Sequence, residues 1–160
     1  MTEKPVVHST FAIDRSYAAP PSRVFAAFAD PVLKRRWFLD GKGFSGDQYS
    51  ADFRVGGFER SRFTFEGGPP GAPAAGTKMG NDTVYLDIVP DQRIVFAYTM
   101  LVADRRHSVS LATVELSASG NGGTRLLFTE QATFFDPSDG AHLREAGWRD
   151  LLEKVDKALL

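Results

Sequence analysis

Apolar residues along the chain switch repeatedly between a two-residue and a near-four-residue period. From Ser9 to Tyr17, Phe11, Ile13 and Tyr17 share one face at period two, which predicts a half-buried first strand. Ala19-Pro20-Pro21 pre-sets a helix start, and Val24, Phe25 and Phe28 give that helix an apolar stripe. Asp30-Pro31 places an N-cap residue before a proline at the first helical position, so a second short helix follows and ends near Trp37-Phe38. Tyr49 to Val55 and Phe58 to Phe65 alternate again across Gly56-Gly57, a hairpin signal. Glu66 to Asp82 is a Gly/Pro/Ala-rich connection long enough to act as a mobile flap. Val84 to Val89, Arg93 to Met100, Ser108 to Leu116 and Thr124 to Phe135 then read as four strands in series, joined by Pro90-Asp91, Asp104 to His107 and Gly120 to Gly123. The last helix is expected from about Ser138 to Leu160, its apolar residues covering roughly half its circumference.

This order predicts an α+β fold in which an antiparallel sheet of about seven strands curves around a long C-terminal helix, with two short helices after the first strand. So wide an apolar stripe needs a concave sheet, and the two together are expected to enclose an apolar cavity. The length of 160 residues, with 42% hydrophobic and 24% charged content, suits one domain spanning the whole chain, with a flexible N-terminus over residues 1–8. A net charge of -1, and no basic run longer than Lys34-Arg35-Arg36, leave nucleic-acid binding without an electrostatic footprint. That run is read as capping a helix end. The absence of cysteine excludes disulfides and thiol nucleophiles and fits a reducing cytoplasm. Met1 to Thr10 has no apolar core of a signal peptide or membrane span, so a cytoplasmic location is expected.

The run Tyr17-Ala18-Ala19-Pro20-Pro21-Ser22-Arg23-Val24-Phe25, with Asp30-Pro31 and Trp37, resembles the activator of heat-shock-protein-90 ATPase (AHSA) C-terminal-like branch of the SRPBCC superfamily, the helix-grip fold shared by START lipid-binding domains and the birch-pollen allergen. Tyr85-Leu86-Asp87-Ile88-Val89-Pro90, Arg93-Ile94-Val95-Phe96, Ala112-Thr113-Val114-Glu115-Leu116 and Gly147-Trp148 before Leu151-Leu152 are similar to the same branch. The resemblance spans nearly the whole chain and implies the same architecture. Its members include lipid carriers, aromatase/cyclases, co-chaperone domains and stand-alone bacterial proteins, so fold alone does not choose among these functions. The chain lacks the companion segment expected beside a co-chaperone domain, which argues against a chaperone partner. A homodimer stays open.

Familiar catalytic motifs are missing. Gly41-Lys42-Gly43-Phe44-Ser45-Gly46 matches a dinucleotide fingerprint formally but follows a helix and precedes strands, the wrong context. Gly71 to Gly76 with Thr77-Lys78 has the phosphate-loop residues in the wrong order. His8, His107 and His142 have no ligand-spaced partners, so neither a metal nor a cofactor is expected. No nucleophile elbow exists.

Two charges fall on faces that should be apolar. Leu126, Phe128, Glu130, Ala132 and Phe134 alternate onto one side of the last strand, and Arg144 sits within the apolar arc of the last helix. A buried carboxylate must be paired, hydrated or functional. Either Glu130 and Arg144 pair at a polar end of the cavity, or Arg144 holds a ligand carboxylate. The alternative is that Arg144 reaches out at the rim while Glu130 bonds a neighbouring strand. The apolar lining is expected from Trp37, Phe38, Phe53, Phe63, Phe65 and Phe96, with Tyr98, Phe128, Leu143, Gly147 and Leu151, where Gly147 suits close approach of helix to sheet. These positions could equally be ordinary core. The leading expectation is a module binding a small hydrophobic ligand, a lipid or an aromatic, polyketide-like metabolite. An aromatase/cyclase-like enzyme using Glu130 or His142, and a co-chaperone-like interaction domain, are the alternatives; nothing in the sequence demands catalysis.

Overall fold

The structure, a computed structural model, describes residues 5–40, 44–135 and 140–159. Seven strands and three α-helices follow in the order β1 (Val7–Tyr17), α1 (Pro21–Ala29), α2 (Pro31–Phe38), β2 (Phe44–Ala51), β3 (Phe58–Phe65), β4 (Lys78–Val89), β5 (Arg93–Val102), β6 (Arg105–Ala118), β7 (Thr124–Phe134) and α3 (Ala141–Ala158). All strands join one antiparallel sheet ordered β1-β7-β6-β5-β4-β3-β2, a meander from β2 to β7 onto which β1 pairs at the far edge. Register shifts at Gly46/Gln48, Tyr85/Asp87 and Met100/Leu101 mark bulges, which bend strands and raise their twist. The sheet so formed holds α3 against one face. This is the α+β helix-grip arrangement expected from the element order.

Local chemistry accounts for the short helices. Asp30 accepts a hydrogen bond at 2.9 Å from the Val32 N–H, and Pro31 begins α2, so one residue ends α1 and caps α2. Trp37 donates from its indole to the Ala27 carbonyl at 2.8 Å, locking the two helices together. Beneath them lies the core: Val24, Ala27, Val114, Leu126, Phe128, Leu152 and Val155 are all fully buried. Apart from Ala27, each of these side chains contributes about 1.5–3 kcal/mol relative to exposure. Tyr17 ties β1 to α3 through a 2.7 Å hydrogen bond to the Leu152 carbonyl.

Several boundaries differ from those expected. The first strand begins at Val7 inside the stretch read as a flexible tail, because His8 and Val7 are held in register by Thr133 and Phe134. The first strand of the hairpin, β2, runs from Phe44 to Ala51 rather than from Tyr49 to Val55; residues 52–57 form the turn, closed by the Asp52 N–H on the Phe58 carbonyl at 2.8 Å. β4 starts at Lys78, well before Val84, because Lys78 to Thr83 pair with β3 on one side and Met79 to Thr83 with β5 on the other. The long connection therefore runs over 66–77, not to Asp82. Gly41-Lys42-Gly43 and the expected helix start at Ser138 lie outside the described residues.

Lys34 does not cap a helix end. It is buried on the inner side of α2, and Arg35 and Arg36 alone occupy the exposed-facing last turn. Its ammonium needs a partner there.

Candidate functional site

The register of the sheet stacks inward-facing residues into rows. Phe63, Met79, Val102 and Arg105 form the outermost; Ser61, Asn81, Met100 and Ser108 come next; Glu59, Thr83, Tyr98 and Ser110 lie deeper. Facing them are Leu143, Gly147, Trp148 and Leu151 from α3 and Phe38 from α2. Between these walls is a cavity of about 720 Å³. Gly71, Ala72 and Pro73 of the 66–77 connection lie on its wall, as do the exposed Arg105, Arg106 and Phe135. The connection is anchored at its base by the Phe65 N–H on the Thr77 carbonyl at 2.9 Å and the Gly76 N–H on the Phe65 carbonyl at 2.7 Å.

Two buried ionic clusters flank the apolar space. In the first, Lys34 donates to both carboxylate oxygens of Glu59 at 2.9 and 2.7 Å. Tyr49 and Tyr85 donate to the same carboxylate at 2.9 and 2.6 Å. Lys34 Nζ lies 4.8 Å from the Phe38 ring centre, within cation–π range. Burial, with the Glu59 charge second, holds both tyrosine hydroxyls far above their ordinary range, so both remain donors.

In the second cluster Arg144 Nη1 lies 3.5 Å from Glu130 Oε2, and the guanidinium donates to Tyr98 Oη at 3.2 Å, Ser110 Oγ at 3.1 Å and Ser108 Oγ at 2.6 Å. Glu130 Oε1 accepts from the Tyr98 hydroxyl and, at 3.0 Å, from the Trp148 indole. Burial pushes the Glu130 carboxyl above its ordinary value, against the opposing pull of Arg144 and the two donors. Burial likewise raises the Tyr98 hydroxyl. Tyr98 thus stands at the cavity wall as a protonated phenol whose O–H is given to Glu130 behind it, while its oxygen accepts from Arg144 and, at 3.1 Å, from the Trp148 indole.

Of the residues singled out from the sequence, Phe38, Phe63, Phe65, Phe96, Tyr98, Leu143, Arg144, Gly147 and Leu151 line the cavity. Four do not. Trp37 is core, packed on Phe28 with ring centres 4.9 Å apart. Phe53 stacks edge-on against Tyr85 at 4.9 Å, outside the cavity. Phe128 lies behind the Trp148 ring at 4.3 Å, and Glu130 is screened by Tyr98 and Trp148. Arg144 pairs with Glu130 instead of reaching out at the rim. Gly147 is not a point of close approach: a Cβ there would meet nothing within 4 Å, because it faces open space at the cavity. His142 is exposed, while His107 is buried on the wall.

Sequence reasoning missed the polar side of the cavity, namely Lys34, Glu59, Asn81 and Thr83. A signal existed. Phe63 and Phe65 point inward, and at period two so must Glu59 and Ser61; the exposed Phe58, 71% accessible, suggests the opposite frame and conceals this.

Comparison with known proteins agrees with this fold. Solved structures with the same fold include the Mll3558 protein of Rhizobium loti, 49% identical with a TM-score of 0.83, the match covering 97% of this chain and 99% of that one. A protein from Rhizobium leguminosarum is 34% identical with a TM-score of 0.81, over 97% of this chain and 96% of its own. DynU16, a protein in the dynemicin biosynthetic locus, shares the fold at 21% identity and a TM-score of 0.68, over 94% of this chain and 46% of its own. No curated protein matches. No helix among the described residues is long and apolar enough to cross a membrane. The model of the family described as activator of Hsp90 ATPase homolog 1-like protein matches residues 18–159, and the chain belongs to that family.

Proposed function

We propose that this protein binds a small hydrophobic ligand in the cavity between the sheet and α3, with the 66–77 connection over the entrance. One observation carries the reading: a space of about 720 Å³, walled by Phe38, Phe63, Phe65, Phe96, Trp148 and Leu151, is left unfilled in a chain whose adjoining core is tightly buried. Ligand sites typically have this concave, largely apolar form with few polar groups. Native mass spectrometry of the purified protein tests it first, by a co-purifying mass or by uptake from a library of hydrophobic metabolites. Gly147→Leu projects a side chain into the space and is expected to abolish that uptake while the fold survives. A clean apo mass, no uptake, and no effect of Gly147→Leu would turn the search from the cavity to an exposed surface.

An aromatase/cyclase-like reaction is the second reading, favoured by the Tyr98 hydroxyl at the wall with Glu130 behind it. When Glu130 carries its proton, the phenol can give its own proton to a bound carbonyl and take the carboxyl's in return, leaving Glu130 ionised to accept the proton back. If such turnover is found, Glu130→Gln is expected to shift its pH profile; an unmoved profile removes Glu130 from the chemistry.

A further inference from the structure

Among the described residues, four buried side-chain atoms lack a hydrogen-bond partner: Ser9 Oγ, Ser61 Oγ, Asn81 Oδ1 and Glu130 Oε2. Two of them sit side by side. Ser61 and Asn81 are direct register partners on β3 and β4, 0% and 9% exposed, and Asn81 lines the cavity. Leaving a buried amide or hydroxyl without a partner costs about 1–3 kcal/mol, and native folds keep few such groups. The Asn81 oxygen is itself buried, so a guest at this wall supplies the missing bond only once the amide turns and exchanges its oxygen with its nitrogen. Asn81 stands one inward-facing step, about 7 Å, below Met79 in the outermost row.

We propose that Asn81 is the recognition point of the cavity, and that the ligand is an uncharged apolar molecule bearing a hydroxyl group just inside the entrance. This rests on the cavity being the ligand site. The amide can turn end for end and offer either its oxygen or its N–H, and a hydroxyl, which donates and accepts, satisfies both orientations. The charge balance selects against an ionic group at this depth. Lys34 is held by both oxygens of Glu59, and Arg144 is engaged by Glu130, Tyr98, Ser108 and Ser110. A ligand carboxylate at Asn81 would lose its hydration and find each inner cation already neutralised. Glu59, the acid on the wall, is likewise occupied by three donors, so a ligand ammonium fares no better.

Fluorescence titration of the purified chain at neutral pH with phenanthrene, phenanthrol and phenanthrene carboxylate tests this. The three share one apolar body. Phenanthrol is expected to bind roughly three- to tenfold tighter than phenanthrene, the worth of one neutral hydrogen bond, and the carboxylate weakest. Asn81→Ala should abolish the preference for phenanthrol over phenanthrene, whatever it does to the affinity of phenanthrene. Without ligand, the variant should unfold at or above the wild-type temperature, since a buried amide oxygen without a partner has been removed. Equal wild-type affinity for phenanthrol and phenanthrene, tightest binding of the carboxylate, or a preference that survives Asn81→Ala overturns the proposal and leaves binding in the cavity intact. A variant that unfolds well below wild type makes the amide structural and also overturns it. Failure of all three compounds to bind overturns both readings.

Discussion

At the scale of single residues, Glu130 has the most specific consequence. Its carboxyl is raised in the folded chain mainly by burial, so the fold holds this proton more tightly than the unfolded chain does. The resulting stability is fully present below the ordinary carboxyl value and is lost as pH rises through the folded one. Thermal unfolding of wild type and Glu130→Gln between about pH 4 and pH 8 isolates it. Relative to the variant, wild type should lose stability as pH rises; a difference that stays flat or grows with pH would mean that Arg144 outweighs burial. Lys34→Met should be more damaging. It strips the cation from a carboxylate that is 2% exposed, for which a loss of about 3–5 kcal/mol is expected, most of it recovered in the Lys34→Met/Glu59→Leu double variant. Chemical denaturation of the three variants measures both steps. Glu130 and Arg144 were legible in the sequence because each interrupts an otherwise apolar frame. The Lys34–Glu59 pair was not, because its partners come from a helix and a strand far apart in the chain, and Lys34 sits in a run that reads as a solvated helix end.

At the scale of elements, periodicity carried the order and type of every strand and helix, since half-buried strands and an amphipathic helix leave strong two- and near-four-residue signals. Boundaries were less visible where polar residues occupy inward positions. Gly80-Asn81-Asp82 has little β propensity, yet β4 runs through it because both neighbouring strands supply ladder partners. The same polar stretch builds the cavity wall, so the boundary error and the missed half of the site have one cause. On α3 the predicted arc was too wide: Arg144, Trp148, Leu152 and Val155 are buried, whereas Ala146 and Gly147 are exposed. Gly147 therefore weakens the helix without any packing return. Gly147→Ala is expected to stabilise the fold by about 0.5–1 kcal/mol, because its Cβ meets nothing and a helix-interior glycine carries that entropic cost. Denaturant unfolding at constant m-value checks it; destabilisation would mean that the helix sits closer to the sheet than described.

At the scale of the whole molecule, the sheet, α2 and α3 form a vessel whose rim is completed by the 66–77 connection. The ends of that connection are paired as a hairpin through Phe65 and Thr77, so its excision need not disturb β3 or β4. Replacing residues 66–76 by Asn-Gly, the turn that suits a two-residue hairpin, should preserve or slightly raise stability, because a shorter loop costs less to close. The function should respond differently. If Gly71, Ala72 and Pro73 cover the entrance, removing them opens the path to the cavity and deletes part of its wall. Stopped-flow fluorescence with phenanthrol should then show faster association and a still larger rise in dissociation, giving a net loss of affinity. Slower exchange, or rates equal to wild type, would place the entrance elsewhere, and the exposed Arg105, Arg106 and Phe135 would have to be covered by something other than this connection. The combination of an intact fold and altered rates separates a lid from a structural loop, because a loop that merely joins two strands has no route by which its removal could change how fast a ligand enters.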